Sequence, residues 1–193
     1  MAARRRGGPR AEEPADRPDD PPADPESVAR TICLRALTNS PKTRSQLADL
    51  LADRNVPADV SARVLDRFAD VGLIDDAAFA AMFVESRRNG KGLARRAIAD
   101  ELRKRGIDDE LVRESVDGID NEAELQTART LVERKLPSMR GLTPEARTRR
   151  LVGMLARKGY TSGVAYRAVK EAVVDEGHHI DDEFDALVET AND

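Results

Sequence analysis

"IADELRKRGIDDELVRESV", residues 98–116, decides the fold. Ile98 and Leu102 lie one turn apart and share a face if the segment is helical. Arg105-Gly106 interrupts the pattern, and a glycine after a basic residue suits the left-handed position that ends a helix. Ile107 then packs back on the helix it has left. Asp108 suits the N-cap of a second amphipathic helix, which carries Leu111 and Val116.

The same pattern occurs in two other places. "LADLLADRNVPADVSARVL" starts at Leu47 and "LVGMLARKGYTSGVAYRAV" at Leu151. Leu47, Ile98 and Leu151 align, as do Leu51, Leu102 and Leu155. The stops read Arg54-Asn55, Arg105-Gly106 and Lys158-Gly159, followed by Val56, Ile107 and Tyr160. Val60, Leu111 and Val164 come next, then Leu65, Val116 and Val169. Thr161 takes the N-cap place of Asp108 in the third copy. A further helical stretch precedes each copy: "SVARTICLRALTN", "DAAFAAMFVESRR" and "EAELQTARTLVERKL". Each unit is therefore three helices long, and the copies are offset by 51 and 53 residues. The expectation is an all-α fold, an elongated and curved tandem array of three three-helix repeats. Their spans are 27–74, 75–120 and 121–175. Residues 1–26, Pro-rich and charged, read as a disordered tail, and 176–193 as an acidic C-terminal tail.

Composition agrees. The chain has 193 residues, 3% aromatic and 35% charged, with no Trp, so Leu, Ala and Val must make the core. Such small aliphatic cores suit packed helices better than β-sandwiches. No apolar run approaches the roughly 18 residues of a membrane span. Arg4, Arg5 and Arg6 have no apolar segment behind them, which argues against a secretory signal. The single cysteine, Cys33 in "TICLRAL", reads as a buried structural thiol. A cytoplasmic location is expected, with no membrane partner. The only histidines, His178 and His179, lie in an acidic stretch where adjacent imidazoles would diverge on a helix, so no metal and no cofactor are expected. Asp75-Asp76 reads as a helix N-terminus rather than an acid/base pair, and no catalytic residues are assigned.

"GLIDDAAFAAMFVESRRNGKGLARRAIADELRKRGID" resembles the signature of the RecX family of regulatory proteins. The matching elements are Gly72 to Asp76, Phe79-Ala80, Arg87-Arg88, Gly90 to Gly92, and Arg105 to Ile107. "RRLVGMLARKGYTSGVAYRAV" is similar to the family's third repeat and "RALTNSPKTRSQLADLL" to its first. One departure is Asn55, where the family usually has glycine; Asn tolerates the same left-handed backbone. The resemblance covers about residues 29–174. It implies a non-enzymatic regulator that binds the RecA recombinase and its DNA filament. Such proteins lie along the filament groove and inhibit ATP hydrolysis, strand exchange and co-protease activity.

The charge distribution fits a polyanionic partner. The net charge is -4, yet residues 87–107 hold eight Arg or Lys and two acids. From Arg129 to Lys170 there are eleven basic residues and two acids, whereas from Glu171 to the end there are nine acids and no Arg or Lys. The positive charge is therefore regional. Candidate DNA- or recombinase-binding residues are Arg87, Arg88, Lys91, Arg95, Arg96, Arg103, Lys104 and Arg105, with Arg147, Arg149, Arg150, Arg157 and Lys158 in the third unit. The Gly90-Lys91-Gly92 turn reads as a helix connection, since no Walker-type Gly-Lys-Ser/Thr follows. Partners would be the recombinase filament and single- and double-stranded DNA, with the protein a monomer. Three-helix units also loosely resemble helix-turn-helix domains, which leaves a DNA-binding transcriptional regulator as the alternative. A helical scaffold without nucleic acid is the blandest reading.

Replacing Arg95 and Arg96 by Ala should weaken duplex binding about equally on unrelated sequences, and the salt slope should fall by roughly 0.9 for each phosphate no longer neutralised. An unchanged slope in a folded variant would mean these charges only solvate the helix.

Overall fold

The apolar spacing of the repeats is realised as nine α-helices among the described residues, 24–175 of a computed structural model, with no strand among them. The first unit comprises α1 (Pro25–Asn39), α2 (Arg44–Ala52) and α3 (Ala58–Asp70). The second comprises α4 (Asp76–Ser86), a π-helical turn (Arg87–Lys91), α5 (Arg95–Arg103) and α6 (Asp109–Asp117). In the third, α7 (Asn121–Lys135) is followed by a 3-10 turn (Leu136–Met139), α8 (Pro144–Arg157) and α9 (Ser162–Asp175). The start differs slightly from expectation. Asp24 caps α1 and Pro25 occupies its first turn, where proline's missing N–H is harmless, so the helix begins inside the stretch read as tail. The tail readings for 1–23 and 176–193, with His178 and His179, lie outside the described residues.

The three helix stops share one hydrogen-bond pattern. Val56, Ile107 and Tyr160 donate backbone N–H to the carbonyls of Leu51, Leu102 and Leu155 at 3.0, 3.3 and 3.2 Å. Asn55, Gly106 and Gly159 donate to Ala52, Arg103 and Ala156, and their φ angles are 57°, 73° and 90°. These are Schellman motifs, and they satisfy carbonyls that a helix end would otherwise leave unpaired.

Each unit has its own core. Leu47, Leu51, Ile98, Leu102, Leu151 and Leu155 are all fully buried. Phe68 and the fully buried Cys33 join them in the first unit, Phe79, Phe83 and Val112 in the second, and Val132, Tyr160 and Val169 in the third. Burial raises the pKa of the Cys33 thiol, which keeps it protonated. Leu111 and Val164, aligned in the sequence, sit only at the core edge, while the adjacent Val112 and Ala165 are fully buried. The apolar stripe of a helix is broad enough for the two positions to share it.

Consecutive units meet where the helix stop of the later unit reaches the start of the earlier unit's second helix. Thr43 Oγ1 donates to the Arg105 carbonyl at 2.6 Å, and the Ala94 N–H donates to the Lys158 carbonyl at 3.0 Å. Thr43 and Ala94 are 51 residues apart, and Arg105 and Lys158 are 53 apart, so the two contacts are repeats of each other. A carboxylate from the later unit's first helix completes each junction. Asp76 Oδ1 accepts from the Arg44 N–H at 2.9 Å and Glu124 Oε1 from the Arg95 N–H at 2.8 Å. These amides belong to first turns, where an acid also complements the helix dipole. Asp75 caps α4 and Asp76 lies in its first turn, as expected, and Asp76 also serves the preceding unit.

The stop glycines are needed twice. Besides their positive φ, a Cβ on Gly106 would overlap the Ser45 side chain, and one on Gly159 would lie 2.6 Å from Ala97 Cβ. The third unit differs at its far end. In register, Arg147 takes the place of Thr43 and Ala94, but α8 already begins at Pro144, so Arg147 lies within the helix and is buried.

Replacing Leu102 or Leu155 by Ala should cost about 2–5 kcal/mol, because each fills a fully buried place one turn before a stop. Chemical denaturation reads this directly; an unchanged midpoint for both would show that these positions do not carry the cores.

Candidate functional site

The basic stretch of the second unit divides into cations held inside the unit and cations left outward. Arg87 and Arg105 belong to the first group. The Arg87 Nε donates to Glu101 Oε2 at 2.9 Å, and Arg105 Nη1 donates to the Glu101 carbonyl at 2.7 Å. Both guanidinium carbons lie 4.3 Å from the ring centroid of Phe83, itself stacked on Phe79 at 5.9 Å. Their side chains are only 22% and 25% exposed, which limits what a ligand could reach. Cation–π contact and a shared carboxylate make the pair a brace between α4 and the end of α5. Arg103 pairs with Asp100 and Asp109 at 3.2 and 2.7 Å, and these carboxylates raise its pKa further.

Arg88, Lys91, Arg95, Arg96 and Lys104 have no ion-pair partner among the described residues. Arg88 and Lys91 sit on the π-helical turn, Arg95 and Arg96 on the first turn of α5, and Lys104 at its end. Arg95, Arg96 and Arg103 line one groove of about 530 Å³ between α5 and α6, opposite Glu110, Arg113, Glu114 and Asp117. That groove is mixed in sign, which the sequence of the basic stretch alone does not show.

In the third unit the candidates scatter. Arg149, Arg150 and Arg157 are exposed along α8, whereas Arg147 is buried. Lys158 belongs to the junction: its Nζ donates to the Lys91 carbonyl, next to its own carbonyl's contact with Ala94. Tyr160 stands behind it. Its hydroxyl donates to the Gly92 carbonyl at 3.1 Å. Burial, with help from Glu124 and against Arg88, pushes the pKa of that hydroxyl up to about 12, so it remains a donor.

The two glycines of the turn have different roles. Gly92 has φ 57°, and a Cβ there would lie 3.0 Å from the Leu131 methyl carbons of α7. Gly90 has no positive φ, and a Cβ there would meet no atom within 4 Å. Between the turn and α7 lies a second groove of about 470 Å³, lined by Arg88, Asn89, Gln126, Thr127, Thr130 and Arg134. Sequence reading missed the α7 side of it. The signal was present in Ala123, Thr127, Thr130 and Arg134, which recur at helical spacing and so share a face.

Three-helix units in tandem, joined at matching hydrogen-bonded junctions and presenting outward cations, define a class: helical-repeat proteins. The chain belongs to the RecX family. Sequence models of the family's first, second and third three-helix domains match residues 29–68, 75–116 and 122–169. Regulatory protein RecX of Thermobifida fusca is 54% identical over 153 residues, covering 79% of this chain and 83% of that one. The Streptomyces lividans protein of the same name is 53% identical over 158 residues, covering 80% and 84%. A crystal structure of RecX from Lactobacillus salivarius superposes with a TM-score of 0.71 at 20% identity, covering 79% of this chain and 99% of that one. A second, described as regulatory protein RecX, gives 0.67 at 24% identity, covering 77% and 73%. At these identities the two structures show a common fold.

The turn can be tested by substitution. Gly92→Ala should destabilise by about 1–2 kcal/mol through its left-handed backbone. Gly90→Ala should stay within about 0.5 kcal/mol of the parent. Thermal unfolding of the pair checks this, and equal losses would contradict the division of roles.

Proposed function

We propose that this chain regulates a RecA-type recombinase by binding its DNA filament, and that it lowers ATP hydrolysis, strand exchange and co-protease activity. Membership of a family named for regulation is the observation that carries this reading. The arrangement of the units supports it. A row of three similar units, joined at matching junctions, offers repeated surfaces to a partner that is itself repetitive. Exposed Arg96, Lys104, Arg149, Arg150 and Arg157 supply charge for phosphates and acidic protein surfaces.

The alternative, a sequence-reading transcriptional regulator, is disfavoured by the charge of the third helix in the first two units. A helix-turn-helix domain places its recognition helix in the major groove, between two phosphate backbones. The third helix of the second unit, α6, carries Asp109, Glu110, Glu114 and Asp117 against Arg113 alone. In the first unit, α3 carries Asp59, Asp66 and Asp70 against Arg63 and Arg67. Phosphates would repel both.

DNA-dependent ATP hydrolysis by the cognate recombinase tests the proposal. The rate should fall as this protein is added at fixed recombinase and DNA. A rate that stays constant with the protein in molar excess over recombinase would overturn it.

A further inference from the structure

We infer that the groove between the π-helical turn and α7 binds the phosphodiester backbone of a single nucleic-acid strand. The inference deepens the function proposed above by placing a DNA contact at the junction of the second and third units. Its lining carries two arginines, Arg88 and Arg134, and four neutral polar side chains, Asn89, Gln126, Thr127 and Thr130; no carboxylate lines it. Neither arginine has an ion-pair partner among the described residues. The α5–α6 groove is less suitable. It is lined by Arg95, Arg96, Arg103 and Arg113, but Glu110, Glu114 and Asp117 line it too and Arg103 is already paired with Asp100 and Asp109, so an anionic strand would meet carboxylates there.

Other features of the π-turn groove narrow the ligand. The hydroxyls of Thr127 and Thr130 already donate to the carbonyls of Ala123 and Gln126 at 2.8 and 3.1 Å. The arginine forks and the Asn89 and Gln126 amides are therefore the donors facing the groove, and forks of this kind match phosphate oxygens. No aromatic side chain lines the groove, and Tyr160 is buried with its hydroxyl on Gly92. Bases consequently have no aromatic ring to stack on, and the strand is held chiefly by its backbone whatever its sequence. A volume of about 470 Å³ has the size of a small-ligand site and takes a short run of one strand rather than a duplex. Gly90, with open space where a side chain would project, leaves the tip of the turn clear.

The test uses the full chain without recombinase and an oligo-dT strand as probe, with affinity measured across a salt series. Arg88→Gln with Arg134→Gln should reduce the slope of log affinity against log salt by about 0.7 for each phosphate no longer neutralised, about 1.4 for the pair. A charge-matched control, Arg35→Gln with Arg67→Gln on the first unit, should keep the parental slope. Because Arg88 lies near Tyr160 and Glu124 at the junction, Arg134→Glu alone provides a second reading. It sits on exposed helix surface and should still weaken binding in a protein with the parental unfolding temperature. Parental slopes in the folded variants would overturn the inference, as would an equal loss in the control. It would also be overturned if oligo-dT binding were kept while inhibition of recombinase ATP hydrolysis was lost, since the groove would then hold an acidic protein segment. Loss of the dT slope with no inhibition by the parent protein would sustain the groove while overturning the function proposed above.

Discussion

The left-handed residue that stops the second helix of each unit is the constraint on which the rest of the protein depends. In the second and third units it turns the carbonyl of the preceding basic residue outward, where the start of the earlier unit's second helix meets it. A helix ending and a unit junction are thereby the same few atoms. The carboxylates of Asp76 and Glu124 fix the second point of each junction by capping an amide across it. Two bonds at separate points define an orientation as well as a contact, so neighbouring units are held in a set relation although each has its own apolar core, with Ala94 of the second unit packed into the core of the third.

This arrangement sorts the charges. Some cations are drawn into the framework: Arg87 and Arg105 through Phe83 and Glu101, Lys158 through the Lys91 carbonyl. Others stay outside, Lys104 beside the Gly106 stop among them. The basic residues along 87–107, taken together, therefore overstate the surface charge, and the acids of α6 reduce it again around Arg95 and Arg96. The groove that no carboxylate lines is formed by a turn of one unit and a helix of the next.

Much of the fold is legible in the sequence, because repetition compares the chain with itself. Leu47, Ile98 and Leu151 identify one another as core, and Asn55, Gly106 and Gly159 identify one another as stops. The candidate site is less legible, for a physical reason. Periodicity reports which face of a helix is apolar, but the partner of a charged side chain is set by packing between elements distant in sequence. Nothing around Arg87 announces Glu101, and nothing around Arg95 announces that Glu124 caps its amide. Asp76 shows the same limit: in the sequence it reads as part of its own helix's start, and in the fold it also completes the unit before it.

Asn55 gains a meaning from this geometry. It holds the same positive φ as its two counterparts, yet among the described residues no unit precedes its own, so no neighbouring helix requires the missing Cβ. At the opposite end, α8 carries an additional turn, from Pro144 to Arg147, at the register where the second helices of the other two units start. The two outer units therefore differ from the repeat pattern at the places where a junction would form: a copy fused before the first would have to accommodate the Asn55 Cβ, and one fused after the third would meet a helix that starts about one turn early.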